Sequence, residues 1–180
     1  MKTVVPETVP WVRIPPLPPK HMRNKREHAL FAYGTLSFPE ILGALLGRPI
    51  EGKPAQIIGY KNVRIRNRVY PGLIIGDSPV EGLLYSDISV DEFRLLNSFE
   101  GKFYVPEMAK ARLADGQIFD ATTYVIAKAN LSKATNEVWN KKLFAQTYLE
   151  RYLKIIPKYR EGYLSGMQQG FQDGLLVTTY

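Results

Sequence analysis

The chain has 180 residues, 45% of them hydrophobic, and contains no cysteine. This length suffices for one domain with a full core, and the lack of cysteine excludes disulfides, thiol nucleophiles and cysteine-ligated zinc. The net charge of +7 could indicate a nucleic-acid partner, but +4 of it lies in residues 1–28 and only +3 in residues 29–180. No stretch approaches the ~18 apolar residues that span a bilayer. We therefore expect a cytoplasmic protein with neither a nucleic-acid nor a membrane partner.

Residues 1–28 are predicted to form an extended, basic tail ahead of a single domain at 29–157 and a C-terminal segment at 158–180. Six prolines in the tail exclude a helix or a central strand: Pro6, Pro10, Pro15, Pro16, Pro18 and Pro19. Its apolar residues could pack on the domain in a polyproline-like conformation, or the tail could remain free. A packed tail could mediate self-association or contact a partner.

The domain is predicted to open with a buried strand at 29–33 that ends at Gly34, where the backbone can turn without a side chain. A helix is predicted from Pro39 to Leu46, because proline suits a first helical turn and Gly47 supplies a stop. The loop between them would either satisfy its N–H groups with water and neighbouring loops, or present them to a carboxylate or phosphate. The N–H groups concerned belong to Gly34, Thr35, Leu36 and Ser37.

Four short strands then predict a meander, because turn residues separate them. They are Ala55–Gly59, Asn62–Arg66, Val69–Ile75 and Glu81–Tyr85. Around the second strand, Arg64, Arg66 and Arg68 alternate with other residues and could share one sheet face. That face would be either a solvated surface or a basic rim for an anionic substrate or nucleic acid.

The next segment predicts a helix with both ends marked. Ser89 and Glu92 have the spacing of a capping box, and Gly101 stands where a left-handed residue ends a helix. Its outward face would carry Asp91, Arg94 and Ser98.

The inward face of this helix would carry Phe93, Leu96 and Glu100. An ionised carboxylate is costly to bury, so an inward Glu100 must be paired, hydrogen-bonded, protonated or beside a ligand cavity. Apolar surroundings would raise its pKa. Alternatively, Glu100 bends back to solvent beside the closing glycine.

The rest of the chain predicts more sheet and then helix. Two strands, Tyr104–Leu113 and Ile118–Ala127, are predicted to form a hairpin around an Asp-Gly turn. A helical stripe runs from Glu137 to about Ile156, and Pro157 is expected to end that helix. The last segment is predicted to be a short helix or irregular.

The residues and motifs that the sequence lacks exclude several kinds of catalytic site. The two histidines, His21 and His28, lie at or before the start of the domain, which argues against a Ser–His relay and against zinc. The sequence also lacks the G-x-S-x-G, phosphate-loop and G-x-G-x-x-G motifs. Carboxylates, tyrosines and lysines remain for proton transfer, and among them Glu100 combines an inward position with a nearby turn.

Four motifs, in order, resemble the gamma-glutamylcyclotransferase-like superfamily, most closely its branch of gamma-glutamylamine cyclotransferases and plant avirulence-induced proteins. They are F-A-Y-G-T-L at 31–36, V-Y-P-G-L-I at 69–74, V-E-G-L-L-Y at 80–85 and L-N-S-F-E-G at 96–101. The resemblance covers about residues 29–128. It implies an α+β fold, namely a small mixed β-barrel with flanking helices, a ligand cavity at the barrel mouth, no metal and no cofactor.

The resemblance also implies roles for individual residues. Glu100 matches the catalytic acid and base of the family. The loop that would bind the glutamyl carboxylate through backbone amides comprises Tyr33, Gly34, Thr35, Leu36, Ser37 and Phe38. A developing oxyanion could accept a hydrogen bond from Tyr33, Tyr70, Tyr104 or Tyr124. Two departures from the family pattern are Asn97, where relatives usually have Asp, and the pair Ser37-Phe38, which replaces polar or basic residues.

The implied activity is that of a lyase or acyltransferase. A γ-glutamyl-amine or γ-glutamyl-amino acid would be cleaved when its α-amine attacks its own γ-amide carbonyl, which releases 5-oxoproline and an amine. The alternative is a catalytically inactive ligand-binding or protein-interaction module on the same fold. Nucleic-acid binding through Arg64, Arg66 and Arg68 is a third hypothesis.

Overall fold

The computed structural model describes residues 28–166, together with the backbone of 169–172 and 175–178, so the predicted tail lies outside the described residues except for His28. Its strands are β1 His28–Ala32, β2 Lys53–Ile57, β3 Tyr60–Arg64, β4 Pro71–Ile75, β5 Val80–Ile88, β6 Tyr104–Leu113, β7 Ile118–Ile126, β8 Gln169–Gln172 and β9 Leu175–Thr178. Its α-helices are α1 Pro39–Leu46, α2 Val90–Glu100, α3 Lys141–Thr147 and α4 Leu149–Leu164.

Five strands close into a barrel in the order β1-β5-β2-β6-β7. Strand β1 pairs antiparallel with β5 and parallel with β7, so the barrel is mixed. This confirms the predicted fold. The predicted meander is wrong, because β5 lies between β1 and β2, whereas β3 and β4 pair with each other outside the barrel. Gly59, with a φ of +92°, turns the chain after β2 and directs β3 away from the barrel.

The hairpin of β3 and β4 is held against the barrel by apolar packing. Val63 and Ile65 are fully buried and cluster with Ile126 of β7. This contact fixes the position of the segment before β4, which supplies part of the candidate site described below.

Two apolar cores result. One fills the barrel and includes Phe31, Ile57, Leu73 and Ala111. The other lies between the barrel and the helices, where Leu42 of α1, Leu96 of α2 and Ile156 of α4 are fully buried. Each helix is therefore amphipathic, and its buried stripe decides which way its polar residues point.

The predicted signals at the ends of α1 and α2 are confirmed. Helix α1 starts at Pro39 and stops at Gly47, whose φ is +72°. At the start of α2, the Glu92 N–H donates to Ser89 Oγ (3.2 Å), and the Ser89 N–H donates to Glu92 Oε2 (2.7 Å). At its end, Gly101 has a φ of +61°. Ser98 was expected to face outward, but it is half-buried and hydrogen-bonded to Tyr159 of α4 (2.8 Å).

The arginine-bearing face does not form. Strand β3 ends at Arg64, whose guanidinium pairs with Glu137 (2.8 Å). Arg66 and Asn67 lie in a turn, and Asn67 has a φ of +58°. Side chains alternate across a sheet only while the backbone stays extended, so the predicted shared face for the three arginines is wrong.

The predicted helix over 137–156 is also wrong in its bounds. Trp139 precedes α3 as a buried residue whose Nε1–H donates to the Val69 carbonyl (2.8 Å). Helix α4 continues through Pro157 to Leu164, so the predicted boundary at 157 lies inside it. Proline inside a helix costs about 3 kcal/mol, and burial of Ile156 and Tyr159 on either side offsets this cost. Beyond α4, β8 and β9 form a hairpin where a short helix or irregular segment was expected.

Candidate active site

Glu100 is the last residue of α2, and the positive φ of Gly101 turns the chain from there toward β6. The inward stripe of α2 carries the Glu100 side chain into a partly buried position. Burial raises the pKa of this carboxyl to about 8. Within the described residues no hydrogen bond reaches the carboxyl group. Glu100 can therefore act as an acid or as a base near neutral pH.

Four tyrosines from four different elements lie close enough to feel the charge of Glu100. Burial raises the pKa of each phenol, and the negative charge of Glu100 raises it further. They are Tyr33 after β1, Tyr104 of β6, Tyr124 of β7 and Tyr159 of α4. The structure thus brings three of the predicted tyrosines to the carboxyl.

The hydroxyl protons of the three predicted tyrosines point to other acceptors. Tyr33 donates to the Tyr124 carbonyl (2.7 Å) and accepts from the Leu73 N–H (3.2 Å). Tyr104 donates to the Pro71 carbonyl (2.5 Å). Tyr124 donates to Asn97 Oδ1 (2.7 Å). Phenols therefore surround Glu100, and none of these three donates to it.

Tyr70 reaches this group through Tyr104. The two rings pack with centroids 6.2 Å apart, and Arg68 Cζ lies 5.9 Å from the centroid of the Tyr70 ring. The Tyr70 phenol also contributes to raising the pKa of Tyr104, after burial and after Tyr33 and Glu100. Tyr70 thus packs on one of the tyrosines around Glu100, and its role toward an oxyanion stays a prediction.

Part of the predicted amide row after β1 is hydrogen-bonded to carbonyls of the same loop. The Ser37 N–H donates to the Gly34 carbonyl (2.9 Å), and the Phe38 N–H donates to the Thr35 carbonyl (3.2 Å). The prediction is therefore wrong for the amide of Ser37. The N–H groups of Gly34, Thr35 and Leu36 find no acceptor within the described part of the chain. The three residues are buried, and their amides are the part of the predicted anion-binding row that has no acceptor within the loop.

Gly34 is required for a reason different from the predicted one. A Cβ at this position would lie 2.6 Å from Pro71 Cγ, which is too close for any side chain. The glycine therefore lets the Pro71 ring pack on the loop, and the expected unobstructed approach of an anion is wrong on the side of Gly34 where a Cβ would stand. The Pro71 carbonyl accepts the hydrogen bond from Tyr104, so Pro71 connects the loop to the tyrosines around Glu100.

The Phe38 side chain belongs to the helical core. Its ring packs on Phe144 with centroids 5.5 Å apart, and Lys141 Nζ lies 4.8 Å from the ring centroid. The same Nζ donates to the Ser37 carbonyl (3.2 Å). With its N–H also used inside the loop, Phe38 supports the loop and leaves contact with an anion to the preceding residues.

Two residues of this site, Tyr159 and Pro71, were given no role from the sequence, and the acceptor role of Asn97 was also missed. Tyr159 was missed because the helix was expected to end at Pro157. Tyr152 and Tyr159 are seven residues apart and share one face of α4, a spacing that would have aligned them had the helix been extended. Pro71 lies in the V-Y-P-G-L-I motif, and Asn97 is a departure from the family pattern, but neither signal indicated the hydrogen bond that the residue accepts.

Among the described residues, His, Cys, Asp and Glu side chains never gather in the groups of three or more that could hold a metal ion. The helices in this part of the chain include none with the length and apolar character of a membrane span.

Comparison with known proteins gives a consistent result. A sequence profile described as gamma-glutamyl cyclotransferase, AIG2-like, matches residues 30–141. AIG2-like protein D of Arabidopsis thaliana is 28% identical over 137 residues, which is 74% of this chain and 90% of that protein.

Solved structures share the fold. The solution structure of an Arabidopsis thaliana protein superposes with a TM-score of 0.58 at 20% identity, covering 79% of this chain and 88% of that one. A structure named gamma-glutamyl cyclotransferase gives a TM-score of 0.51 at 14% identity, covering 56% and 67%.

Proposed function

Because the chain belongs to the gamma-glutamyl cyclotransferase, AIG2-like family, we propose that it cleaves a γ-glutamyl-amine or γ-glutamyl-amino acid by intramolecular cyclisation. The α-amine nitrogen of the substrate attacks the γ-amide carbonyl carbon and closes a five-membered ring. The amide C–N bond breaks, and the products are 5-oxoproline and a free amine or amino acid. Starting from the neutral α-amine, one proton leaves the attacking nitrogen and one is gained by the departing nitrogen, so neither water nor a redox partner is consumed.

The partly buried carboxyl of Glu100, without a hydrogen-bond partner among the described residues, is the observation that carries this proposal. An α-amine has a pKa of about 8 and is mostly protonated at neutral pH. The pKa of Glu100, also about 8, makes proton transfer between the two groups nearly balanced in free energy. Glu100 takes the proton from the attacking amine and returns it to the leaving nitrogen.

The amides of Gly34, Thr35 and Leu36 hold the α-carboxylate of the substrate in this mechanism. Fixing that carboxylate places the α-amine beside its own carbonyl carbon. Well-oriented intramolecular reactions gain up to about 7–11 kcal/mol from such positioning. The candidates for hydrogen bonding to the developing oxyanion are Tyr33, Tyr70, Tyr104 and Tyr124. For Tyr33, Tyr104 and Tyr124 this role requires the hydroxyl to turn away from the acceptor that it has in this structure.

The test is to incubate the protein with a panel of γ-glutamyl-amines and γ-glutamyl-amino acids and to identify the products. Cyclisation gives 5-oxoproline, whereas hydrolysis gives glutamate. In water labelled with ¹⁸O, 5-oxoproline formed by cyclisation carries no label. Glutamate as the labelled primary product would refute the proposed reaction.

The matched variants are Glu100→Gln and Glu92→Gln, two neutral replacements in the same helix. Loss of a general acid and base costs about 10²–10⁴-fold in turnover, so we expect that loss for Glu100→Gln and near-normal turnover for Glu92→Gln. Full activity in Glu100→Gln would remove Glu100 from the mechanism. Calorimetric binding of a γ-glutamyl ligand without turnover by the wild-type protein would favour the inactive binding module instead.

A further inference from the structure

The hydrogen bond between Tyr124 and Asn97 joins the interior of the site to its rim. Tyr124 of β7 is buried, with 4% of its surface exposed, while Asn97 of α2 is exposed. The Tyr124 hydroxyl donates to Asn97 Oδ1 over 2.7 Å. Asn97 and Glu100 are three residues apart on the helix and therefore lie on adjacent turns of one face.

We propose that Asn97 is a positioning residue: its side-chain oxygen holds the hydroxyl proton of Tyr124 and so prevents that phenol from donating to Glu100. This inference rests on the proposed function, in which Glu100 is the acid and base. It adds a role for a residue that would not itself touch the substrate.

The other phenols around Glu100 are held by different kinds of partner. The Tyr33 hydroxyl, after β1, is fixed by the Tyr124 carbonyl and the Leu73 N–H. The Tyr104 hydroxyl, on β6, donates to the backbone carbonyl of Pro71. On α4, the Tyr159 hydroxyl shares a hydrogen bond with Ser98 (2.8 Å).

Asn97 is therefore the one acceptor among those of Tyr33, Tyr104 and Tyr124 that a side-chain substitution can remove. Backbone carbonyls hold the other two protons in any variant. With Asn97 replaced by an apolar residue, the buried Tyr124 hydroxyl loses its acceptor and must find another or remain unsatisfied. Because the Tyr124 hydroxyl lies 2.7 Å from Asn97 Oδ1, and Glu100 is one turn from Asn97 on the same face of α2, we expect the hydroxyl to turn to the Glu100 carboxyl.

The consequence concerns the basicity of Glu100. A hydrogen bond donated to a carboxylate stabilises its ionised form and lowers its pKa. Burial, without such a bond, raises the pKa of Glu100 to about 8. By accepting the hydroxyl proton of Tyr124, Asn97 keeps the pKa of the Glu100 carboxyl in a range that suits proton exchange with an amine.

The experiment is an NMR titration of the full-length protein labelled with ¹³C at glutamate Cδ, with the Glu100 signal assigned by its loss in Glu100→Gln. In Asn97→Leu, the titration midpoint of Glu100 should fall by about one pH unit. In Asn97→Asp, Tyr124 keeps an acceptor and a second negative charge lies one turn away. There the midpoint should rise by about a few tenths of a unit, since the site is exposed and screened.

The control is the double variant Asn97→Leu/Tyr124→Phe, which lacks the hydroxyl and should restore the wild-type midpoint. An unchanged midpoint in Asn97→Leu, a fall in Asn97→Asp, or a midpoint that stays low in the double variant would each overturn the proposal. A merely structural role for Asn97 would lower the melting temperature without moving the midpoint. If Asn97→Leu does not fold, the direction of the shift in Asn97→Asp decides.

The titration also separates this inference from the proposed function. If the wild-type protein releases no 5-oxoproline, the proposed function fails, and the NMR midpoints still decide what Asn97 does. If the protein is active, the acidic limb of its kcat/KM profile should shift in the same direction as the midpoint in each asparagine variant.

Discussion

Glu92 and Glu100 lie at opposite ends of α2, and the pKa values of their carboxyl groups are shifted in opposite directions. Burial alone would raise the pKa of Glu92, but hydrogen bonds from Arg48 and Ser89 and the charge of Arg48 outweigh it, and the pKa is lowered. At Glu100 burial acts without such bonds, and the pKa rises to about 8. Both side chains are partly buried. The difference lies both in the partners that each carboxyl meets and in how deeply each carboxyl is buried, since burial is the cause of the shift at Glu100.

This contrast distinguishes a carboxylate that stabilises the fold from one that the fold carries at a cost. Arg48 Nε donates to Glu92 Oε1 (2.5 Å), and Arg48 Nη2 donates to the Asp87 carbonyl (2.8 Å), which ties α1 to the start of α2. The tyrosines near Glu100 give it no comparable bond. Buried polar groups without partners are expensive, and such costs are concentrated at functional sites.

The strongest test of this contrast is the pH dependence of stability in Glu100→Gln. Unfolded Glu100 releases its proton near pH 4.5, whereas the folded protein retains it to about pH 8. Above pH 4.5 the native state thus binds more protons, and wild-type stability falls as the pH rises to 8. Glu100→Gln should exceed wild type by on the order of 2–4 kcal/mol at pH 9 and match it near pH 4. Urea unfolding at both pH values measures this, and equal stability at pH 9 would contradict the cost assigned to Glu100.

The next effect is expected at the glycine that closes α2. Gly101 has a φ of +61° and a ψ of −159°, a region open essentially to glycine alone, and a Cβ there would meet nothing within 4 Å. Gly101→Ala should therefore destabilise by about 2 kcal/mol through backbone strain. Thermal unfolding measures the loss. Wild-type stability in this variant would show that the backbone relaxes and that Glu100 is not held by the turn.

A smaller effect is expected when Glu92 loses its cation. Arg48→Met should cost about 1–2 kcal/mol at pH 7, discounted because the Arg48 side chain is 38% exposed. Since the pKa of Glu92 is lowered, its contribution is present above pH 4.5 and is lost as the pH falls through the folded-state value. The cost should shrink accordingly in acid. The control is Arg94→Met, whose exposed pair with Asp91 should contribute less than about 0.5 kcal/mol; equal losses in both would remove the distinction.

The smallest effect is expected at the cap. Ser89→Ala removes the acceptor of the Glu92 N–H and should cost about 1 kcal/mol in urea unfolding. Its product release from γ-glutamyl substrates should stay near wild type, because Ser89 lies at the end of the helix away from Glu100. A large loss of activity with little loss of stability would show that the two ends of α2 are coupled.

Sequence reasoning succeeded where the signal was local. The box of Ser89 and Glu92 and the turn of the β6–β7 hairpin depend on residues within a few positions of each other. It failed where distant partners decided the outcome. Pro157 signals a helix end by itself, but the burial of Ile156 and Tyr159 carries α4 past it. In the same way, β5 pairs with both β1 and β2 and so lies between them, and no local pattern predicts this pairing.

The amino-acid order alone determined that α2 exists, where it begins and ends, and that its inward stripe closes with an acidic residue. Hydrogen bonds within one helical turn and the period of 3.6 residues are sufficient for that. The tertiary structure decided which groups surround that residue and where their protons point. The bonds that fix Tyr33 and Tyr124 join positions 91 and 27 residues apart. Such contacts depend on the closed barrel, so the basicity of Glu100 is a property of the folded protein.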